Sequence, residues 1–330
     1  MTSLPDWMQA PGPIPIGISS CLLGEAVRYD GRHQRDAYIV GTLGAHFRFV
    51  PVCPEVAVGL GIPRPAIRLV ADGDGPPRAL SARDPALDPS DALRAYGRRM
   101  AGELGDLSGY LFKEGSPSCG MERVKVYRPT GGAPALRGVG LYAAELMAAH
   151  PALPCEEEGR LGDPGLREHF LERVYAYHRW RTLLAGGLTP GRLVEFHERH
   201  QLALLAHGAE PAQRLGRLVS GAGAARGKAA LAALGAQYGL ELMAVLRRRA
   251  TRRTHANVLQ HLRGYLKRAL DAADQAELGE AFSAYRQGQV PRVVPLTLLR
   301  HHFRRHPHPD VAGQTYLEPH PAELMLRSGV

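Results

Sequence analysis

Residues 14–20 read IPIGISS and stop at Cys21, and residues 47–52 read FRFVPV and stop at Cys53. Each is a short apolar run bounded by Gly, Pro or Ser, the pattern of a buried strand. A third run, LSGYLFK at 107–113, precedes the turn GSPSCG at 115–120, which carries Cys119. Between the second and third runs, Asp91–Leu104 has helical spacing and good helix formers. Strands alternating with helices predict an α/β domain with a small, mostly parallel sheet and flanking helices. Ligands of open α/β sheets gather beyond the carboxyl ends of the strands. Three strand ends can therefore bring three thiols to one place. Cys155 differs: it lies in HPALPCEEEG, a Pro- and acid-rich stretch that reads as a linker.

From about Leu166 the pattern changes to long helical runs: Arg167–Leu184, Thr189–His207, Arg226–Leu246 and Thr254–Ala281. This half is expected to be an all-α helical domain. The expected division is an α/β domain over 1–158 and an all-α domain over 159–330. The small-residue stretch SGAGAARGKAALAALGAQYG reads as part of a closely packed helix. No apolar run is expected to approach the ~18–20 residues of a membrane helix. The N-terminus lacks a basic segment followed by an apolar core, so no secretory leader is expected. These features predict a soluble, cytoplasmic protein.

Charge is divided unevenly. The net charge is +9, and residues 161–330 carry 24 Lys and Arg against 14 Asp and Glu. The first half is nearly neutral. The second half alone has the electrostatics of a polyanion binder. The segment 247–268 holds eight Lys and Arg and no acid, and HHFRRH follows at 301–306. A solvated helix face explains many such runs, but unopposed charge at this density points to a partner such as RNA.

The four cysteines form no CxxC pair, which argues against a zinc ribbon or a thioredoxin-type motif. Thiolates in loops lined by Gly and Ser suit an iron–sulfur cluster. Zinc can also take three thiolates and keep one open position. The residue types leave both metals open.

The ordered set CLLG at 21–24, VRYDG at 27–31, CPE at 53–55 and SPSCG at 116–120 resembles the bacterial thiouracil desulfidase family across about residues 14–150. The resemblance implies a [4Fe–4S] cluster held by three cysteines only, Cys21, Cys53 and Cys119. The fourth iron is then left to take the sulfur of a thiolated uracil. It also implies that Glu55 and a serine of the last loop, Ser116 or Ser118, are the catalytic side chains. Glu55 could activate water or attack the carbon itself, and nearby anionic sulfur would favour its protonated form. A first-turn Glu following Pro54 could also simply start a helix, the less favoured reading. Tyr29 could stack on a base and Arg28 could meet a phosphate, or residues 28–30 could be a solvated loop; Lys113 is a further substrate- or RNA-binding candidate, or a plain exposed residue.

The second half carries its own resemblance. The helical run THANVLQHLRGY at 254–265, with YRQG at 285–288 and QTYLEP at 314–319, resembles a helical domain often fused behind desulfidase domains. The fused forms resemble tRNA 4-thiouridine desulfidases. Asn257, Gln260, His261 and Gly264 share one helix face, read as an RNA-binding or structural face in preference to a metal site. Arg252, Arg253 and Arg263 are the candidate tRNA-binding cations. The leading expectation is a non-redox desulfidase acting on 4-thiouridine in tRNA. Desulfuration of a free thiolated pyrimidine is one alternative, and a non-catalytic iron–sulfur nucleic-acid-binding protein is the other.

Overall fold

The computed structural model describes residues 5–8, 12–73, 75–81, 83–84, 86–321 and 324. It divides into two compact units, one spanning Ala10–Leu166 and one running from Arg167 and including the N-terminal turn Asp6–Met8.

The first unit opens with β1 (Ile14–Ser19), followed by α1 (Ala37–Gly41), β2 (Phe47–Val52) and the single turn α2 (Pro54–Ala57). Then come β3 (Ile67–Val70), β4 (Arg78–Ser81), α3 (Ser90–Glu103), β5 (Gly109–Phe112), β6 (Val124–Tyr127), β7 (Ala135–Gly138), α4 (Leu141–Ala149) and β8 (Cys155–Glu157). Strands β2, β1, β5 and β8 form a sheet in that order, and every pairing in it is parallel. Its central strands are buried on both faces, which is why IPIGIS and GYLF read as continuous apolar runs. The expected α/β domain with a mostly parallel sheet is what the chain forms.

Two sequence readings need correction here. A second sheet, β4-β3-β6-β7, was not expected. Its strands are four residues each, and β7 exposes three of its four, so no apolar run marks them. Cys155 lies in no linker: it starts the edge strand β8 and is paired with Tyr110 of β5. Polar Glu156 and Glu157 are buried beside it and are satisfied by Arg160 and by the Met121 amide, so their acidity misled the reading.

The second unit is all helical apart from short turns: α5 (Pro164–Ala185), α6 (Pro190–His207), α7 (Ala209–Ser220), α8 (Lys228–Arg247), α9 (Arg252–Leu266), α10 (Ala272–Gln287) and α11 (Val293–Arg305). The single helix expected over Thr254–Ala281 is two. Asp271 breaks it by accepting the Asp274 amide as an N-cap, so a new helix starts without any Gly or Pro to announce it. The N-terminal turn joins this unit through Trp7, whose ring lies 4.9 Å from Phe196, and through Asp6, which bonds Arg192 at 2.8 Å. The expectation that no apolar run reaches the length of a membrane helix needs correction: α8 is long and apolar enough by length and composition alone, a property its interrupting Gly, Gln and Tyr hid. It packs on α6 and α7. At Gly239 a methyl group would meet the Trp180 indole at 2.3 Å, so the small residue is what allows the close approach.

Candidate active site

Cys21 sits in a 3-10 turn, Ser20–Leu23, that caps the end of β1 and closes on Gly24 at φ 106°. Cys53 follows β2 directly and is the N-cap of α2, with Pro54 and Glu55 in the first turn. Cys119 lies in the turn after β5 and is buried. That turn is fixed from two sides. The Ser116 hydroxyl accepts the amides of Ser118 (3.2 Å) and Cys119 (3.1 Å). The carbonyls of Pro117 and Ser118 accept the amides of Leu141, Tyr142 and Ala143, the otherwise unpaired donors at the start of α4. Gly140 permits this seat, because a Cβ there would stand 2.5 Å from the Ser118 carbonyl.

All three cysteines line one cavity of about 420 Å³, together with Glu55, Ser116, Arg28, Tyr29 and Lys113. Cys155 is not among its lining residues. Burial pushes the Cys21 thiol up to about 11 and holds Cys53 and Cys119 above the usual thiol range. As bare thiols they are protonated at neutral pH, and a bound metal centre is what stabilises buried thiolates. Three thiolates beside one cavity suit an iron–sulfur centre, and as a donor set they also suit zinc with one open position.

Glu55 is held on both oxygens. Ser118 donates its hydroxyl to Oε1 at 2.8 Å. Arg64 directs Nε at 2.8 Å and Nη2 at 2.7 Å to Oε2. The Arg64 side chain is only 3% exposed, and its remaining donors reach the carbonyls of Gly61 and Val27, each at 2.9 Å. The sequence reading missed Arg64. Its one signal was placement between prolines in GIPRPAI, where a merely solvated arginine needs no rigid backbone. The arginine also adds a positive charge that the expectation for Glu55 left out. The two candidate serines separate: Ser118 touches the carboxylate, whereas Ser116 organises the turn. Ser19 was also missed; its hydroxyl accepts the Lys113 amide at 3.0 Å.

Arg28 and Tyr29 lie beside the cavity with the guanidinium 5.7 Å from the ring centroid, and Tyr29 is 43% exposed. Arg28 also faces Asp30 at 3.8 Å. Lys113 turns its ammonium to the Glu158 carboxylate and the Glu114 carbonyl, so it lines the cavity as a paired group. In the helical unit, Arg253 is exposed on α9. Arg252 packs on Gly288 at the end of α10. Arg263 is bound to Gln275 of α10 at 3.2 and 3.0 Å. Asn257, Gln260, His261 and Gly264 are all exposed, opposite the buried Val258, Leu259, Leu262 and Leu266.

Two buried cysteines and a half-buried one at the carboxyl end of a parallel sheet, with a clamped carboxylate at the same cavity, make a candidate enzyme site of α/β type. Over residues 16–158 the chain matches the 2-thiouracil desulfurase family, and it belongs to that family. Residues 201–321 match a family described as a protein of unknown function, DUF1722. The chain is 32% identical over 161 residues to the uncharacterised protein YbgA of Escherichia coli K12, covering 48% of this chain and 94% of that protein. It is 30% identical to a solved [4Fe–4S]-dependent thiouracil desulfidase, TudS, with 45% of this chain and 93% of that one covered and a TM-score of 0.37.

Proposed function

We propose that this protein removes sulfur from a thiolated uracil, that its substrate is 4-thiouridine in tRNA, and that Cys21, Cys53 and Cys119 hold a [4Fe–4S] cluster for the purpose. The observation that carries the reading is Glu55, clamped by Ser118 and Arg64 at the cavity the three cysteines line. When bound there, a cluster with one iron lacking a protein ligand supplies a Lewis acid for the thiocarbonyl sulfur.

The rest of the chemistry falls to side chains. The net reaction is hydrolytic: water oxygen bonds to the ring carbon, the carbon–sulfur bond breaks, and sulfur leaves as hydrogen sulfide with no change of oxidation state. Glu55 takes the proton of the attacking water. Ser118 fixes one carboxylate oxygen, and Arg64 fixes the other. Such positioned proton transfer contributes typically ~10²–10⁴-fold. Tyr29 offers a ring face to the base, and Arg28 offers a cation near it.

The tRNA assignment rests on the helical unit. A free base has no use for a domain with ten excess positive charges, whereas a polynucleotide does. The exposed polar face of α9 beside Arg253 supports it. The family description names a free base, 2-thiouracil, and this is the second reading. Anaerobic reconstitution with iron and sulfide, followed by incubation with thiolated tRNA or free 4-thiouracil and mass spectrometry of the products, separates them. Loss of 4-thiouridine from tRNA supports the first reading. Turnover of the free base alone supports the second, and an intact cluster with neither substrate consumed defeats both.

A further inference from the structure

The helical unit holds a second constellation with metal-ligand chemistry, remote in sequence from the cysteines. Asp274 and Glu277 are three residues apart on α10 and so share a face. His302 projects from the last turn of α11, and α10 packs on α11. One ligand atom from each of the three lies within 4.8 Å of the others.

His302 makes the cluster more than a chance pair of acids. Its side chain is 2% exposed, yet neither ring nitrogen has a hydrogen-bond partner among the described residues. A buried imidazole with no partner is an uncommon and costly arrangement, and each case calls for an explanation such as an ion. Asp274 Oδ2 stands 3.9 Å from His302 Nδ1. That is too long for a hydrogen bond. It matches two ligands on opposite sides of one ion, each ~2.0–2.2 Å from it.

We propose that Asp274, Glu277 and His302 bind a divalent transition-metal ion. One imidazole with two carboxylates suits zinc, manganese or ferrous iron. It suits magnesium and calcium poorly, because they favour all-oxygen sets, and cuprous copper poorly, because it favours sulfur. Glu277 is exposed, so water completes the coordination on that side. The ion pins the first turn of α10 to the end of α11. The residue after Asp274 is Gln275, which holds Arg263 of α9 by its side chain and its carbonyl and donates to the Leu266 carbonyl. The ion thereby steadies the basic helix through one neighbouring residue.

The test uses the full chain, anaerobic, nucleic-acid-free and stripped with a chelator. Mn²⁺ is the probe, followed by electron paramagnetic resonance. As a carboxylate-preferring ion, Mn²⁺ reports this site rather than the cysteines. The expected result is one bound Mn²⁺ per chain, displaced by Zn²⁺, with a rise in melting temperature. Glu277→Gln lies on the surface and keeps the fold; it weakens Mn²⁺ binding at least ~10-fold, and Asp274→Asn and His302→Gln abolish it. Mn²⁺ that stays free in the presence of the full chain overturns the proposal. So does binding that Glu277→Gln and Asp274→Asn leave unchanged.

Discussion

Arg64 reaches Glu55 with two donors on a single oxygen, Nε at 2.8 Å and Nη2 at 2.7 Å, and leaves the other oxygen to Ser118. The carboxylate is thus fixed in position and orientation before any substrate arrives. Replacing Arg64 by Ala leaves Glu55 without its counter-charge in a largely buried place, which costs roughly 3–5 kcal/mol when such a pair is broken. Arg64→Ala is expected to lower the melting temperature and to reduce turnover at least ~100-fold while the cluster absorbance is retained. Arg64→Lys is expected to restore stability more than turnover, since a point charge cannot reproduce the fork.

Glu55→Gln is nearly isosteric and cannot accept a proton. Its expected outcome is an intact cluster spectrum with turnover lost by ~10²–10⁴-fold. The two serines are expected to part company. Ser118→Ala lowers turnover with cluster content kept, whereas Ser116→Ala releases the amides of Ser118 and Cys119 and lowers cluster retention. Equal effects from the two would contradict the separate roles assigned to them.

Cys155 begins β8 and does not line the cavity. Iron and sulfide content after reconstitution should therefore be unchanged in Cys155→Ala and should collapse in Cys21→Ser, Cys53→Ser and Cys119→Ser. If Cys155→Ala alone empties the site, the three-cysteine assignment fails.

The helical unit is expected to lose stability in mild acid. Burial holds His169 and His178 down to about 4 and His200 down to about 3, from an ordinary value of 6.5. These groups bind protons in the unfolded chain before they do so in the folded one. Stability is full above about pH 6.5 and falls as pH drops below it, levelling only near pH 3–4. Each such proton contributes ~1.4 kcal/mol per pH unit. Thermal melts between pH 7.5 and 5 check this; a melting temperature that stays flat across that range would refute it.

Arg253 and Arg263 are expected to differ although they share a helix. Arg253→Ala removes an exposed cation, so tRNA affinity should fall and its salt slope should flatten by about one unit, with the melting temperature unchanged. Arg263→Ala removes the tie to Gln275 and should lower the melting temperature instead. Filter binding across a salt series, beside thermal melts, reads both.

The parts of the fold that were legible in the sequence are those with a local cause. β1 and β2 end where apolar runs meet Ser20 and Cys53, so the placing of Cys21 and Cys53 beyond the sheet followed from pattern alone. The second sheet was not legible, because strands such as ALRG at 135–138 are short and mostly exposed, and because β3 finds its partner β6 only across a long stretch of chain. Arg64 illustrates the same limit within the site. Nothing local says that an arginine nine residues beyond Glu55 turns back onto it; the loop that returns it is fixed by contacts with Val27 and Tyr29. The break between α9 and α10 escaped notice because its only sign is one aspartate cap.

The seat of Ser118 on the amino end of α4 has a consequence for how this site can vary over evolution. The Ser118 carbonyl, the Ser118 hydroxyl and the Cys119 amide belong to two consecutive residues of one chain, and Gly140 leaves no slack beneath them. A lineage that shifted the helix to suit a bulkier substrate would move the thiol and the carboxylate's partner together. Adaptation to new substrates is thereby steered away from this loop and toward other residues that line the cavity, such as the Arg28 and Tyr29 side chains, which touch neither the thiol nor the carboxylate.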